Sequence, residues 1–197
     1  MKRLMRYFAG RNRRRKAAFV EAFVRRHAIS SVLFVGVGQG WEPHDLIVES
    51  AAARSVSLAV GCDLHERTNI PWPYVRASGL ALPFADGSFD LVLSNAVIEH
   101  VGSEGDQAAF VHEHRRVGRH WIITTPNRWF PIESHTGVFM LHWLPGWRRR
   151  KAAKFTRLLG RSEFRRLLPV GSDLRAGSLS PTFIGHGSGT SDRDRTT

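Results

Sequence analysis

The sequence predicts an α/β chain built on a doubly wound, mostly parallel sheet with helices on both faces. Three observations carry this. Short runs rich in β-branched residues and leucine alternate with segments of helical apolar spacing, the pattern of strand and crossover helix. The first run, Val32 to Val35, continues into alternating glycines at Gly36, Gly38 and Gly40 in VLFVGVGQG. Glycine lacks a Cβ and adopts positive φ, so such a strand end turns tightly and lets a ligand approach the backbone. At 197 residues, the chain holds one such domain with a substantial core, not two.

Taken in order, Met1 to Arg26 places Leu4, Tyr7, Phe8, Phe19, Val20, Phe23 and Val24 at helical spacing, with arginines on the other face. The run NRRRK at Asn12 to Lys16 is expected to break this helix in two. After the glycine loop, Trp41 to Ala53 reads as a helix with Pro43 in its first turn. The second strand is Ser57 to Cys62. Asp63 follows it, 23 residues beyond Gly40, where a Rossmann-like fold places an acid for ribose hydroxyls. Taken alone, such an aspartate would be a turn cap; behind a glycine loop, the cofactor role is the better reading.

Tyr74 to Ala77 is a short third strand, and LALPFADGS at Leu80 to Ser88 is a loop with proline and Asp-Gly turns. Phe89 to Ser94 is a fourth strand, apolar enough to be buried on both faces, and it delivers Asn95, Glu99 and His100 to the glycine-loop end of the sheet. Asp106 to Val117 is a helix, and Trp121 to Thr125 a fifth strand stopped by Pro126. Arg148 to Leu168 reads as a basic helix. Beyond Pro169 the chain is rich in Gly, Ser, Thr and Asp and lacks two strand-length apolar runs. The expectation is a sheet whose terminal hairpin is incomplete, with a basic segment at 1–30, the domain proper at 31–168 and a disordered tail at 169–197.

The net charge of +12 is unevenly placed. Residues 1–30 hold ten Lys/Arg and one acid, and residues 148–166 hold nine and one, leaving the body at −5. This is the pattern of arms that meet nucleic-acid phosphate or an anionic membrane surface. The single cysteine, Cys62, excludes an internal disulfide and reads as a small core residue. No apolar run reaches the length of a membrane span and no signal-peptide core follows the basic start, so a cytoplasmic protein is expected, with peripheral membrane contact through its basic flanks.

Three blocks in order, VLFVGVGQG, LALPFADGSFDLVLSNAVIEHV at Leu80–Val101 and TPN at Thr125–Asn127, resemble class I S-adenosylmethionine-dependent methyltransferases. The resemblance spans about Ser31 to Pro145 and is nearest the small-molecule group related to ubiquinone and menaquinone biosynthesis. A nicotinamide loop would need a small residue where Trp41 stands, so the GxGxG spacing speaks against a dehydrogenase.

The resemblance implies S-adenosyl-L-methionine as cofactor. Gly36, Gly38 and Gly40 would line its methionine part and Asp63 would bind the ribose; Leu80 and Ala81 would lie near adenine, and Asn95 and Glu99 at the methionine end. The pattern usually carries acids where this chain has Phe34 and Ser78, and Ser78 is expected to hydrogen-bond in place of the acid. His100 and His135 are the candidate proton acceptors for a methyl acceptor, with His142 a further histidine of the later loop. Asn127 to Trp147, dense in aromatic residues and histidines, reads equally as an apolar acceptor lid, through Trp129, Phe130, Glu133, His135, Thr136 and His142, or as packing on the sheet edge. No metal ligand set is expected. The acceptor is a small molecule on the first reading and RNA on the second; a third makes the chain a non-catalytic member of the fold.

Overall fold

The computed structural model describes residues 2–37, 46–66, 70–131, 157–175 and 180–189, with the backbone alone for residues 2–8. Its strands are β1 (Ser31–Val35), β2 (Leu58–Asp63), β3 (Tyr74–Arg76), β4 (Phe89–Asn95), β5 (Gly118–Pro126), β6 (Asp173–Arg175) and β7 (Thr182–Ser188). They form one sheet in the order β3-β2-β1-β4-β5-β7-β6. The first five run parallel, β7 pairs antiparallel with β5, and β6 pairs antiparallel with β7. The described helices are α1 (Lys2–Arg26), α2 (Ile47–Ala53), α3 (Glu104–Val117) and α4 (Arg161–Leu167).

Side chains alternate across the strands, so each face carries its own apolar layer. Val32, Phe34, Leu91, Leu93, Ile122 and Ile184 pack with Val20, Phe23 and Val24 of α1 and Val48 and Ala52 of α2. On the other face Leu33, Val35, Val92, Trp121, Ile123 and Phe183 meet Phe110, Val111 and Val117 of α3 and Phe164 of α4. Ser103 caps α3, which starts at Glu104, two residues before the expected Asp106. Its Oγ accepts from the Asp106 N–H (3.2 Å) while the Asp106 carboxylate accepts from the Ser103 N–H (2.7 Å), a reciprocal cap.

Several expectations are corrected. The terminal hairpin is not incomplete: β6 and β7 close the sheet, so residues 169–175 and 180–189 are ordered, and a boundary at 168 would cut a continuous sheet. Thr182–Ser188 hid from the sequence because two of its residues must be small. A Cβ on Gly185 would meet Leu168 at 2.7 Å, and one on Gly187 would meet Trp121 at 3.0 Å. A strand packed this closely carries glycine where an apolar pattern would show a large residue.

Nor is α1 broken at Asn12–Lys16; it runs as one helix. Asn12 donates to Thr182 Oγ1 (2.7 Å), Arg15 to Ser180 Oγ (2.6 Å) and Lys16 to Asn95 Oδ1 (2.6 Å). These partners take up donors of the basic run, and α1 is part of the domain rather than a detached arm. The basic helix expected over 148–168 is helical only at Arg161–Leu167 among the described residues, because Leu159 bridges to Asn127 in extended form. Residues 41–45 of the predicted second helix lie outside the described residues, as do 148–156, 176–179 and 190–197.

Candidate functional site

The sheet order reverses direction between β1 and β4, and the carboxyl ends of these parallel strands form the crevice where such sheets take ligands. Gly36, just beyond β1, has φ +71°, and a Cβ there would lie 2.5 Å from Val97. Its N–H donates to the Cys62 carbonyl (2.7 Å), so the start of the glycine loop is pinned to the end of β2. Only glycine fits this turn, and the segment after β4 comes directly against it.

Asp63 ends β2, half-buried, and its Oδ1 accepts from the His65 N–H (2.9 Å). Its carbonyl accepts from Ala77 (3.0 Å), which sets Ser78 beside it. Ser78 stitches the next turn: its carbonyl accepts from Ala81 (3.1 Å) and its Oγ from the Leu80 N–H (3.2 Å). Gly79 lies where a Cβ would press on Phe110 (2.6 Å) and Val35 (3.1 Å), holding this loop over the end of β1. Leu80 and Ala81 are exposed there.

Behind the loop the structure supplies a clamp the sequence reading missed. Arg116, in the last turn of α3, donates to the carbonyls of Leu82 (2.9 Å) and Phe84 (2.8 Å) and to Asp86 (2.8 Å). Glu113 accepts from the Leu82 N–H (2.7 Å) and from Arg116 (2.7 Å). The arginine beside it holds the Glu113 carboxyl below its ordinary range despite partial burial.

At the end of β4, Asn95 is the centre of a buried polar cluster. Its Oδ1 accepts from Lys16 Nζ (2.6 Å) and from Thr124 Oγ1 (2.9 Å), and its Nδ2 donates to Glu49 Oε1 (3.1 Å). Burial lowers Lys16 to about 8, against the raising influence of Glu49 and Glu99. Burial raises Glu49. Glu99 is fully buried and accepts from Thr125 Oγ1 (3.1 Å). His100, the next residue, is exposed. Glu49 Oε2 and Ser94 Oγ are buried without a hydrogen-bond partner among the described residues.

The structure thus brings Gly36, Asp63, Ser78, Leu80, Ala81, Asn95 and Glu99 to one edge of the sheet. Gly38, Gly40 and His135 lie outside the described residues, as do Glu133, Thr136 and His142 of the expected lid. Phe34, where the resemblance leads one to expect an acid, packs against Trp72 (ring centroids 4.6 Å) in the apolar layer. Cys62 is buried, and burial pushes its thiol up to about 11, the character of a core residue rather than a nucleophile. Among the described residues, no group of three His, Cys, Asp or Glu is placed to hold a metal ion, and no helix is long and apolar enough to cross a membrane. Lys16, Glu49 and Thr124, which hydrogen-bond with Asn95, were not picked out from the sequence because only the glycines and the Leu80–Val101 block carry a local signal.

Residues 33–120 match the family model described as a methyltransferase domain. A Mycolicibacterium smegmatis protein named "Probable S-adenosylmethionine-dependent methyltransferase" is 37% identical over 125 residues, covering 58% of this chain and 45% of that protein. A Mycobacterium tuberculosis H37Rv protein described in the same words is 37% identical over 123 residues, covering 58% of this chain and 42% of its own length. The chain therefore spans less than half the length of these two relatives. Burkholderia thailandensis 1,6-didemethyltoxoflavin-N1-methyltransferase, solved with bound 1,6-didemethyltoxoflavin and S-adenosylhomocysteine, has a TM-score of 0.58 at 15% identity, covering 91% of this chain and 79% of that one. At that identity the likeness is one of fold. The glycine turn, the sheet order and these matches agree: residues 33–120 match a methyltransferase domain, set in the fold of the S-adenosylmethionine-dependent methyltransferases.

Proposed function

We propose that the protein transfers a methyl group from S-adenosyl-L-methionine to a small-molecule acceptor. One observation supports this most: the Gly36 turn, Asp63, the Ser78–Ala81 loop and Asn95 converge at the end of β1. Two features of the crevice suit a nucleoside ligand with a polar tail. Gly36 leaves a cradle that a Cβ would fill, and buried polar atoms of Glu49 and Ser94 stand without partners among the described residues.

In this reading Gly36, with Gly38 and Gly40, holds the methionine part by backbone approach, and Asp63 receives the ribose hydroxyls. Ser78, Leu80 and Ala81 flank the adenine, and Asn95 and Glu99 border the methionine end. The cofactor, when bound, supplies an electrophilic methyl on a sulfonium. What the chain contributes is alignment of the acceptor and exclusion of water. His100, exposed next to buried Glu99, is in this reading the group that takes a proton from an acceptor entering from solvent. His135 is the second candidate for that role.

Calorimetric titration with S-adenosylmethionine and S-adenosylhomocysteine tests the cofactor site. Micromolar binding that Asp63→Ala weakens at least tenfold, about 1.4 kcal/mol, is expected; no binding by folded protein would favour a non-catalytic member of the fold. A second reading, with RNA or another polyanion as partner, draws on the exposed stripe Arg11, Arg14, Arg15, Arg25 and Arg26 along α1. Methyl incorporation into RNA, falling steeply between roughly 50 and 200 mM salt, would promote it over the small-molecule reading.

A further inference from the structure

The polar cluster beneath α1 is costly as it stands. Lys16 is 6% exposed and Glu49 is 7% exposed, and each buried ion costs several kcal/mol unless partners repay it. They do not repay each other directly, because the Asn95 amide stands between them, accepting from Lys16 Nζ at 2.6 Å and donating to Glu49 Oε1 at 3.1 Å. An ammonium has three donors, of which Asn95 takes one. A carboxylate oxygen, Glu49 Oε2, has no donor among the described residues. The charges of Arg13 and Glu99 also bear on Lys16.

Among the described residues this leaves a cation with one hydrogen-bond partner and an anion with a bare oxygen on either side of one amide, at the carboxyl end of β4. Val97, two residues beyond Asn95, touches the Gly36 turn, so the cluster borders the crevice. A ligand bearing a carboxylate and an ammonium on one carbon satisfies both groups at once. An α-amino-acid head group has that chemistry, and neither a phosphate nor a simple alcohol does.

We propose that Lys16 and Glu49 receive the zwitterionic amino-acid end of the methyl donor, Lys16 at its carboxylate and Glu49 at its ammonium, so that α1 forms a wall of the cofactor site. The assignment rests on the cofactor placement given above. It also gives the unbroken helix a function: the hydrogen bonds of Asn12 and Arg15 to the β7 end hold Lys16 over Asn95.

The test is calorimetry on the full chain with two ligands, S-adenosylhomocysteine and 5′-methylthioadenosine, which keeps the nucleoside and sulfur and lacks the amino-acid end. Lys16→Met and Glu49→Gln should each weaken S-adenosylhomocysteine at least tenfold, about 1.4 kcal/mol, and leave methylthioadenosine within about twofold. Lys16→Arg, which restores the charge, should recover part of the loss. Retained methylthioadenosine binding shows that a variant is folded. Should Lys16→Met not fold, Lys16→Gln keeps a donor for Asn95 without the charge and is read in the same way. Equal losses for both ligands would assign the pair to packing and overturn the proposal, as would a wild-type protein that does not distinguish the two ligands. Wild-type protein that binds neither would overturn the cofactor placement itself.

Discussion

Gly36 concentrates two constraints in one residue, a positive φ and a neighbour at contact distance. Gly36→Ala should lower the melting temperature, since an L-residue in the left-handed region costs about 1–2 kcal/mol before any overlap with Val97. Adding Val97→Ala should return the steric part and leave the φ part; a double variant no more stable than the single would show that Val97 is not the obstacle. His114 makes a different kind of prediction. It is fully buried, its Nδ1 bonded to the Phe110 carbonyl (2.8 Å), and burial lowers it to about 4. Its folded value lies below the unfolded value of about 6.5, so the unfolded chain binds the proton first. Stability is therefore full above about pH 6.5 and declines as pH falls toward 4, by on the order of 3 kcal/mol from this group. His120 and His186, also lowered by burial, act in the same direction. Urea melts across that range should show the decline, and His114→Leu should flatten it.

The coupling of α3 to the loop before β4 is decided at the level of elements. Neither is remarkable alone: the loop is a chain of turns, and the helix end is basic. Together, Arg116 and Glu113 give the loop backbone the partners it cannot find within itself. Arg116→Ala should destabilise the fold by about 2–3 kcal/mol, the scale of charged hydrogen bonds. Arg116→Lys should not rescue it, because a point charge cannot reach two carbonyls and two carboxylates in one plane. Chemical denaturation of both variants checks this, and a lysine variant as stable as wild type would refute the planar-clamp account.

Across the whole molecule, the sheet is complete only with β7 and β6. A chain ending at residue 168 would uncover β5, leaving a row of unpaired backbone groups, and would remove the fully buried Phe183. Such a chain should aggregate and lose cooperative thermal unfolding. A soluble, cooperatively melting product would mean that β1 to β5 stand by themselves. The same architecture fixes the charge pattern: α1 turns Val20, Phe23 and Val24 to the sheet and its arginine stripe outward, so a strongly basic segment is also core.

The five parallel strands, the helices between them and the glycine turn were legible in the sequence, because each rests on neighbouring residues: an apolar run, a period, a residue without a Cβ. Asp63, Ser78 and Asn95 could be placed at one edge because parallel strands all end on that side. Lys16 could not, since its partner lies 79 positions away and a lysine among arginines reads as surface. The closing hairpin was hidden for a related reason, its glycines being demanded by Leu168 and Trp121 rather than by any local turn. The sequence by itself determined which segments become the five parallel strands and which residues form their apolar layers. Only the tertiary structure decided which charges are buried together, because burial and the spacing between charges are properties of packed elements and not of adjacent residues.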